Sequence, residues 1–205
     1  AAFDIQFGNL TRKIHRNTSW DEARFESCGQ KWMDMSEGHY GVSLLNDCKY
    51  GHSALDGVMT LTLIKSGIEP NPTADQEEHT FTYALYPHAE GWRQANTVQE
   101  AMKLNQPLLS EEGGHAGCQN SFVWVDKSNV IIETVKMAED DDGIIVRLYE
   151  SENAKTKAHI FFGEKISSVE SCNCLEEIKQ TIETDGEGFE ITVKPYEIQT
   201  YRVRF

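Results

Sequence analysis

Apolar and polar residues alternate with a period of two along most of this chain, the pattern of strands that bury one face. Phe3, Ile5 and Phe7 fall on one side of a first strand, Met59, Leu61 and Leu63 on one side of another, and Phe81, Tyr83 and Leu85 on one side of a third. Ile144, Val146 and Leu148, then Phe189, Ile191 and Val193, then Tyr201, Val203 and Phe205 repeat it toward the C-terminus. Asp-Gly occurs at 56–57, 142–143 and 185–186, each time just before such a run. Both residues tolerate the positive φ of tight hairpin turns, so each pair predicts a hairpin.

One segment departs from this period. From Trp92 to Leu104, the residues Trp92, Ala95, Val98 and Met102 recur at spacings of three and four, which predicts a short amphipathic helix near 92–104. Pro107 and the glycine-rich stretch from Glu111 to Gly117 end it and mark a domain boundary. The expected architecture is all-β: antiparallel β-sandwich domains over 1–119 and 120–205, with that one helix. Segment 20–36 fits both periods.

Composition narrows the partners. Thirty-three acidic against nineteen basic side chains give a net charge of −14, which would repel nucleic acid and anionic membrane. No apolar run approaches the roughly 20 residues that span a bilayer. The start "AAFDIQFG" lacks an initiator Met and already reads as a strand, which points to a segment of a longer chain. Cysteines at 28, 48, 118, 172 and 174 lack the paired C-x₂₋₄-C spacing of a zinc site and read as reduced, mostly buried thiols of a cytoplasmic protein.

Catalytic constellations are missing from the pattern. There is no G-x-S-x-G elbow, no phosphate-binding glycine loop and no helical His-Glu-His set. The acidic run Glu139–Asp142 lacks the spacing of a calcium loop and reads as a solvated turn. Trp124, in an alternating strand, reads as core, whereas Trp20 and Trp32 fit core or sugar platform equally. Two stretches are richer in polar groups than a sandwich needs: "HRNTSWDEARFE" (15–26) and "SEGHYGVSLLNDCKYGH" (36–52). Loop-anchoring hydrogen bonds and ligand contact both account for them.

At these stretches the chain resembles a known family. "GNLTRKIHRNTSWDEARFE", "SEGHYGVSLLNDCKYG" and "DQEEHTFTYALYPH", in this order, resemble the C-terminal region of family 38 α-mannosidases, especially the bacterial and cytosolic branch. "NVIIETVKMAEDDDGIIVRLYE" and the closing "PYEIQTYRVRF" resemble that family's terminal β domain. The resemblance implies a retaining glycosidase of terminal α-linked mannose, in which one carboxylate attacks the sugar and a second carboxyl group protonates the leaving oxygen. It also implies a zinc ion that orients the reacting ring. Those residues belong to the family's N-terminal domains, so the resemblance implies no catalytic residue, no metal ligand and no cofactor in this chain, with zinc on the catalytic domain. That domain and a mannose-containing oligosaccharide are the implied partners.

The family's β region also contributes a wall of the sugar cavity. In the Golgi and lysosomal branch the segment matching Asn46–Lys49 carries an Asp followed by two arginines, one near the substrate; here it reads Asp47-Cys48-Lys49. Asp47 and Lys49, and after them Tyr50 and Arg24, are therefore the candidate substrate contacts. Lys offers a compact charge where Arg offers a planar fork, so the contact differs in kind. A free-standing carbohydrate-binding module and a purely structural sandwich are the alternatives. Coplanar solvent-facing aromatics would mark the former, and an apolar patch would mark a face made for a catalytic domain.

Overall fold

The computed structural model describes residues 1–110, 112–113 and 121–205. The chain divides into two units, Ala1–Leu109 and Ser110–Phe205, each with its own core. The boundary expected at 119/120, and most of the glycine-rich stretch before it, lie outside the described residues. No helix among the described residues is long and apolar enough to cross a membrane.

The first unit is built on two antiparallel sheets. β1 (Ala2–Ile5), β2 (Gly8–Thr11), β4 (Trp32–Ser36), β5 (Tyr40–Asn46) and β8 (Tyr83–Ala89) form one in the order β2-β1-β4-β5-β8. β3 (Ser27–Cys28), β6 (Gly51–Leu55) and β7 (Val58–Thr62) form the other in the order β3-β6-β7. Alternation places Phe3, Met33 and Leu44 on one face of the larger sheet, each opposite the next in register, and Met59 and Leu61 of the smaller sheet close over them. The first strand ends at Ile5: Phe7 lies in the turn with φ 54°, so it does not continue the face of Phe3.

The opposite face of the larger sheet holds Trp32 against Trp92, with ring centroids 5.1 Å apart, and packs on a helix. That helix, α2, runs Thr97–Asn105 and is shorter than the 92–104 expected from periodicity. Asn96 adopts a left-handed conformation (φ 53°), so residues 92–96 form turns and the regular helix begins only after it. A second helix, α1 (Ser19–Ala23), occupies part of the ambiguous 20–36 segment. Its boundary is chemical: the Thr18 hydroxyl accepts from the Asp21 amide while the Asp21 carboxylate accepts from the Thr18 amide, a reciprocal cap.

The second unit is a sandwich of a five-stranded and a three-stranded sheet. β10 (Val130–Met137), β11 (Ile144–Glu150), β16 (Ile198–Arg204), β13 (Ser168–Cys172) and β14 (Ile178–Ile182) pair in the order β10-β11-β16-β13-β14. β15 (Gly188–Val193), β12 (Thr156–Phe162) and β9 (Val123–Val125) pair in the order β15-β12-β9. Val146, Leu148, Ile160, Val169, Phe189, Ile191, Val193 and Val203 meet between them. Val146, Leu148, Phe189, Ile191, Val193 and Val203 are positions that the period-two reading selects, Ile160 and Val169 are not, and Phe205, which it selects, is 46% exposed.

Two expectations are corrected here. Asp56 (φ 50°) and Gly57 (φ 77°) form a two-residue hairpin between β6 and β7, and Gly143 (φ 100°) turns β10 into β11. Gly186 (φ 87°), however, lies between β14 and β15, which belong to different sheets, so the third Asp-Gly is a crossing and not a hairpin. Asp185 Oδ1 holds that crossing by accepting from the amides of Glu187 and Gly188. Trp124 is 42% exposed: Val123 and Val125 take the inward positions of β9 and push it outward.

Candidate functional site

The polar stretch that follows β5 is tied down atom by atom. Asn46 is buried; its side-chain amide donates to the Gln30 carbonyl at 2.7 Å, and its Oδ1 accepts from the Lys49 amide at 2.6 Å, which closes the turn. Its Nδ2 also sits 3.3 Å from His52 Nε2, reaching the smaller sheet. Asp47 clamps a neighbouring segment: its amide donates to the Thr82 carbonyl at 3.1 Å and its Oδ2 accepts from the Thr82 amide at 2.9 Å. The hydrogen bond from the Cys48 thiol and that amide hold the Asp47 carboxyl below its ordinary range, so it is anionic at neutral pH. The same bond raises the Cys48 thiol.

Lys49 places its ammonium 4.8 Å from the centre of the Phe81 ring, a cation–π contact. Phe81 in turn stacks on Tyr83 at 6.4 Å. The exposed Tyr50 contributes its carbonyl, which accepts from Gly29, and leaves its ring in solvent. The structure thus joins Asp47 and Lys49 through residues 81–82, on a surface carrying an acceptor, a donor and an aromatic face. That combination suits a polyol ring, whose hydroxyls take both kinds of hydrogen bond and whose C–H face packs on an aromatic.

Arg24 lies in a different place. It caps the C-terminus of α1 and lines a cavity of about 340 Å³ together with Thr11, Arg12, Lys13, His15, Arg16, Asp21 and Ser27. Asp47, Lys49 and Tyr50 do not line it. The polar wealth of 15–26 is partly structural. Asp21 and Thr18 build the cap of α1, and Glu26 accepts from Thr62 and sits 3.8 Å from Lys65.

A polar cluster that sequence reasoning missed lies beneath α2. His88 Nε2 is 2.7 Å from Asp34 Oδ2, the Ser43 hydroxyl donates to the same oxygen at 2.8 Å, and Ser43 also meets Thr97 at 2.9 Å. Ser36 adds a hydrogen bond to the other Asp34 oxygen. All four of Asp34, Ser43, His88 and Thr97 are buried. These are the residue types of a nucleophilic triad, but Asp34 and Ser43 both address one nitrogen of His88 and no substrate reaches them, so the cluster fastens β4, β5 and β8 to α2. Its one sequence signal is that Asp34, Ser43 and His88 occupy alternating, inward positions of strands.

No three His, Cys, Asp or Glu side chains gather into a metal-binding group among the described residues. Of the four described cysteines only Cys172 is buried, while Cys28, Cys48 and Cys174 are exposed. The expectation of mostly buried thiols is therefore corrected: each exposed thiol sits at a strand end or in a loop, where alternation selects no face.

With the fold and these surfaces defined, comparison with known proteins gives a class. Residues 1–73 match the description "Glycosyl hydrolases family 38 C-terminal domain" and residues 129–201 match "Glycosyl hydrolases family 38 C-terminal beta sandwich domain". The chain belongs to glycosyl hydrolase family 38 and comprises its C-terminal β region. It is 38% identical over 210 residues to α-mannosidase G of Dictyostelium discoideum, a match covering 98% of this chain and 19% of that protein. It is 39% identical over 181 residues to α-mannosidase 2C1 of Homo sapiens, covering 86% of this chain and 17% of that protein. The chain thus spans about a fifth of the length of these relatives. A solved α-mannosidase from Enterococcus faecalis V583 shares the fold, with a TM-score of 0.76 at 20% identity over 98% of this chain and 24% of that one.

Proposed function

We propose that this chain is the accessory C-terminal β region of an α-mannosidase, a retaining glycosidase of terminal α-linked mannose, and that it supports the catalytic domain and walls part of its sugar cleft. The observation that carries this is the 38% identity to α-mannosidase G running through 98% of the chain while covering only 19% of that protein. The hydrolytic carboxylates and the zinc ion belong to the remainder of the polypeptide, and this chain alone is inactive.

Asp47, Lys49, Tyr50 and Arg24 are the residues proposed to face sugar. Asp47 is an anionic acceptor for ring hydroxyls and Lys49 a donor held over Phe81. Apolar surface supports a docked partner: Tyr83 and Leu85 on the edge strand β8 are 56% and 67% exposed, and Trp20 is 79% exposed. Three exposed thiols suit the reducing cytoplasm.

A second reading, a carbohydrate-binding module, is favoured by one observation. Exposed Trp124 stacks on its cross-strand partner Phe161 with ring planes 11° apart, a small aromatic platform. One preparation separates the readings. Incubated with an aryl α-mannoside and added zinc, this chain is expected to release no aryl alcohol, and measurable turnover overturns the accessory assignment. Saturable quenching of Trp124 by a mannose oligosaccharide, lost in Trp124→Ala, would favour the module.

A further inference from the structure

Of the positive charge gathered in the cavity beside α1, the accessory reading uses only Arg24. In a chain of net charge −14, Arg12, Lys13, Arg16 and Arg24 all line it, together with His15. The one carboxylate in its wall, Asp21, already accepts from the amides of Asn17 and Thr18 and lies 3.7 Å from His15 Nδ1. Among the described residues none of Arg12, Lys13, Arg16 and Arg24 makes an ion pair. Arg12 is held most firmly: its guanidinium lies 4.5 Å from the centre of the Phe3 ring, and its Nη1 is buried with no hydrogen-bond partner.

A buried guanidinium nitrogen without an acceptor is costly, because it has given up water and received nothing in return. Burial accordingly lowers the Arg12 pKa. Convergence of several cations on a concave wall raises the local potential, which salt screens only partly inside a recess. The group that such a cationic wall suits is a compact anion with several acceptor oxygens, which accessible guanidinium nitrogens bind in two-pronged fashion.

We propose that the cavity formed by the 11–16 segment and Arg24 is a binding site for a phosphate-class oxyanion, with Arg12 as its fixed ligand and Arg24, Lys13 and Arg16 as its mobile ones. Thr11 and Ser27 add hydroxyls to the wall. At about 340 Å³ the cavity exceeds a bare phosphate and accommodates a phosphate ester of a small sugar. The site stands on its own geometry and does not depend on the mannosidase reading.

The test titrates inorganic phosphate, and separately a hexose monophosphate and the unphosphorylated hexose, into the chain at low ionic strength, followed by calorimetry and amide NMR. Both phosphates are expected to bind saturably at one site, with shifts centred on residues 11–16 and 24, and the neutral hexose is not. Tighter binding of the hexose phosphate assigns the anion to a phosphorylated sugar, and equal binding assigns it to the free ion. Arg24→Gln is expected to weaken binding about tenfold by loss of one charge-assisted hydrogen bond. Arg12→Gln weakens it at least as much, and Lys179→Gln, an exposed site in the second unit, leaves it unchanged. Arg12 packs on Phe3, so the exposed Arg24 keeps the test valid even where Arg12→Gln fails to fold. No saturable binding, shifts scattered over remote lysines, or an Arg24→Gln variant of unaltered affinity overturns the proposal.

Discussion

At the scale of single residues, environment decides what a polar side chain does. Asp4 lies on the buried face of β1, where its carboxylate accepts from the Lys31 amide at 3.0 Å. Burial outweighs that bond and pushes its pKa from 3.8 up to about 6. The folded chain therefore keeps this proton at pH values where the unfolded chain has released it. The stability it contributes is fully present below 3.8 and is lost as pH rises through about 6. Asp4→Asn is expected to remove a pH-dependent loss of about 2 kcal/mol across that window, seen as a flatter melting-temperature profile than that of the unaltered chain. Lys49 offers the functional counterpart. In the full-length enzyme Lys49→Ala is expected to raise KM about tenfold with little change in kcat, and unchanged steady-state constants would make this loop purely structural.

At the scale of elements, buried carboxylates join strands to the loops that follow them. Glu150, the last residue of β11, is fully buried. Its Oε1 accepts from Asn129 Nδ2 at 2.9 Å and the Glu152 amide at 2.7 Å, and its Oε2 accepts from the Tyr196 amide at 3.1 Å. Glu150→Ala would leave these three donors without their acceptor inside the fold, at an expected cost of about 2–4 kcal/mol. Trp124 is the sole tryptophan after residue 110, so its fluorescence during urea unfolding reports the second unit directly. A midpoint unchanged by the substitution would show that water replaces all three bonds. The Asp34–Ser43–His88–Thr97 cluster works in the same way in the first unit, where it seats α2 on β4, β5 and β8.

At the scale of the molecule, each unit closes its own core. Thirteen buried apolar and aromatic residues, all between Val130 and Val203, form the interior of the second unit. Expressed as residues 121–205, it is expected to fold unaided and to give a dispersed amide spectrum. A collapsed spectrum would mean that it needs the first unit. The first unit has a smaller shared core of Phe3, Met33 and Leu44, and keeps broad apolar surface exposed on β8 and around α1. That asymmetry suits the proposed docking of a catalytic domain on the first unit.

What the sequence determined by itself was one-dimensional. A period of two settles the all-β sandwich class and the inward faces of β11, β15 and β16, which with the Asp56-Gly57 hairpin were legible from spacing alone, whereas Tyr83 and Leu85, spaced in the same way, lie exposed on the edge strand β8. The long motifs also sufficed to place the chain in its family. What only the tertiary structure decided depends on which sheet meets which. Asp185-Gly186 crosses between sheets because its flanking strands pair elsewhere, Trp124 faces outward because its neighbours reach the core first, and Asp34 meets His88 from 54 residues away. The polar loop 46–50 was visible as a cluster, but its anchoring to Gln30 and Thr82 was not, and neither was the gathering of Arg12 and Arg24 around one cavity. Periodicity records the face a residue takes on its own strand. Partners distant in sequence are chosen by the packing of one layer against another.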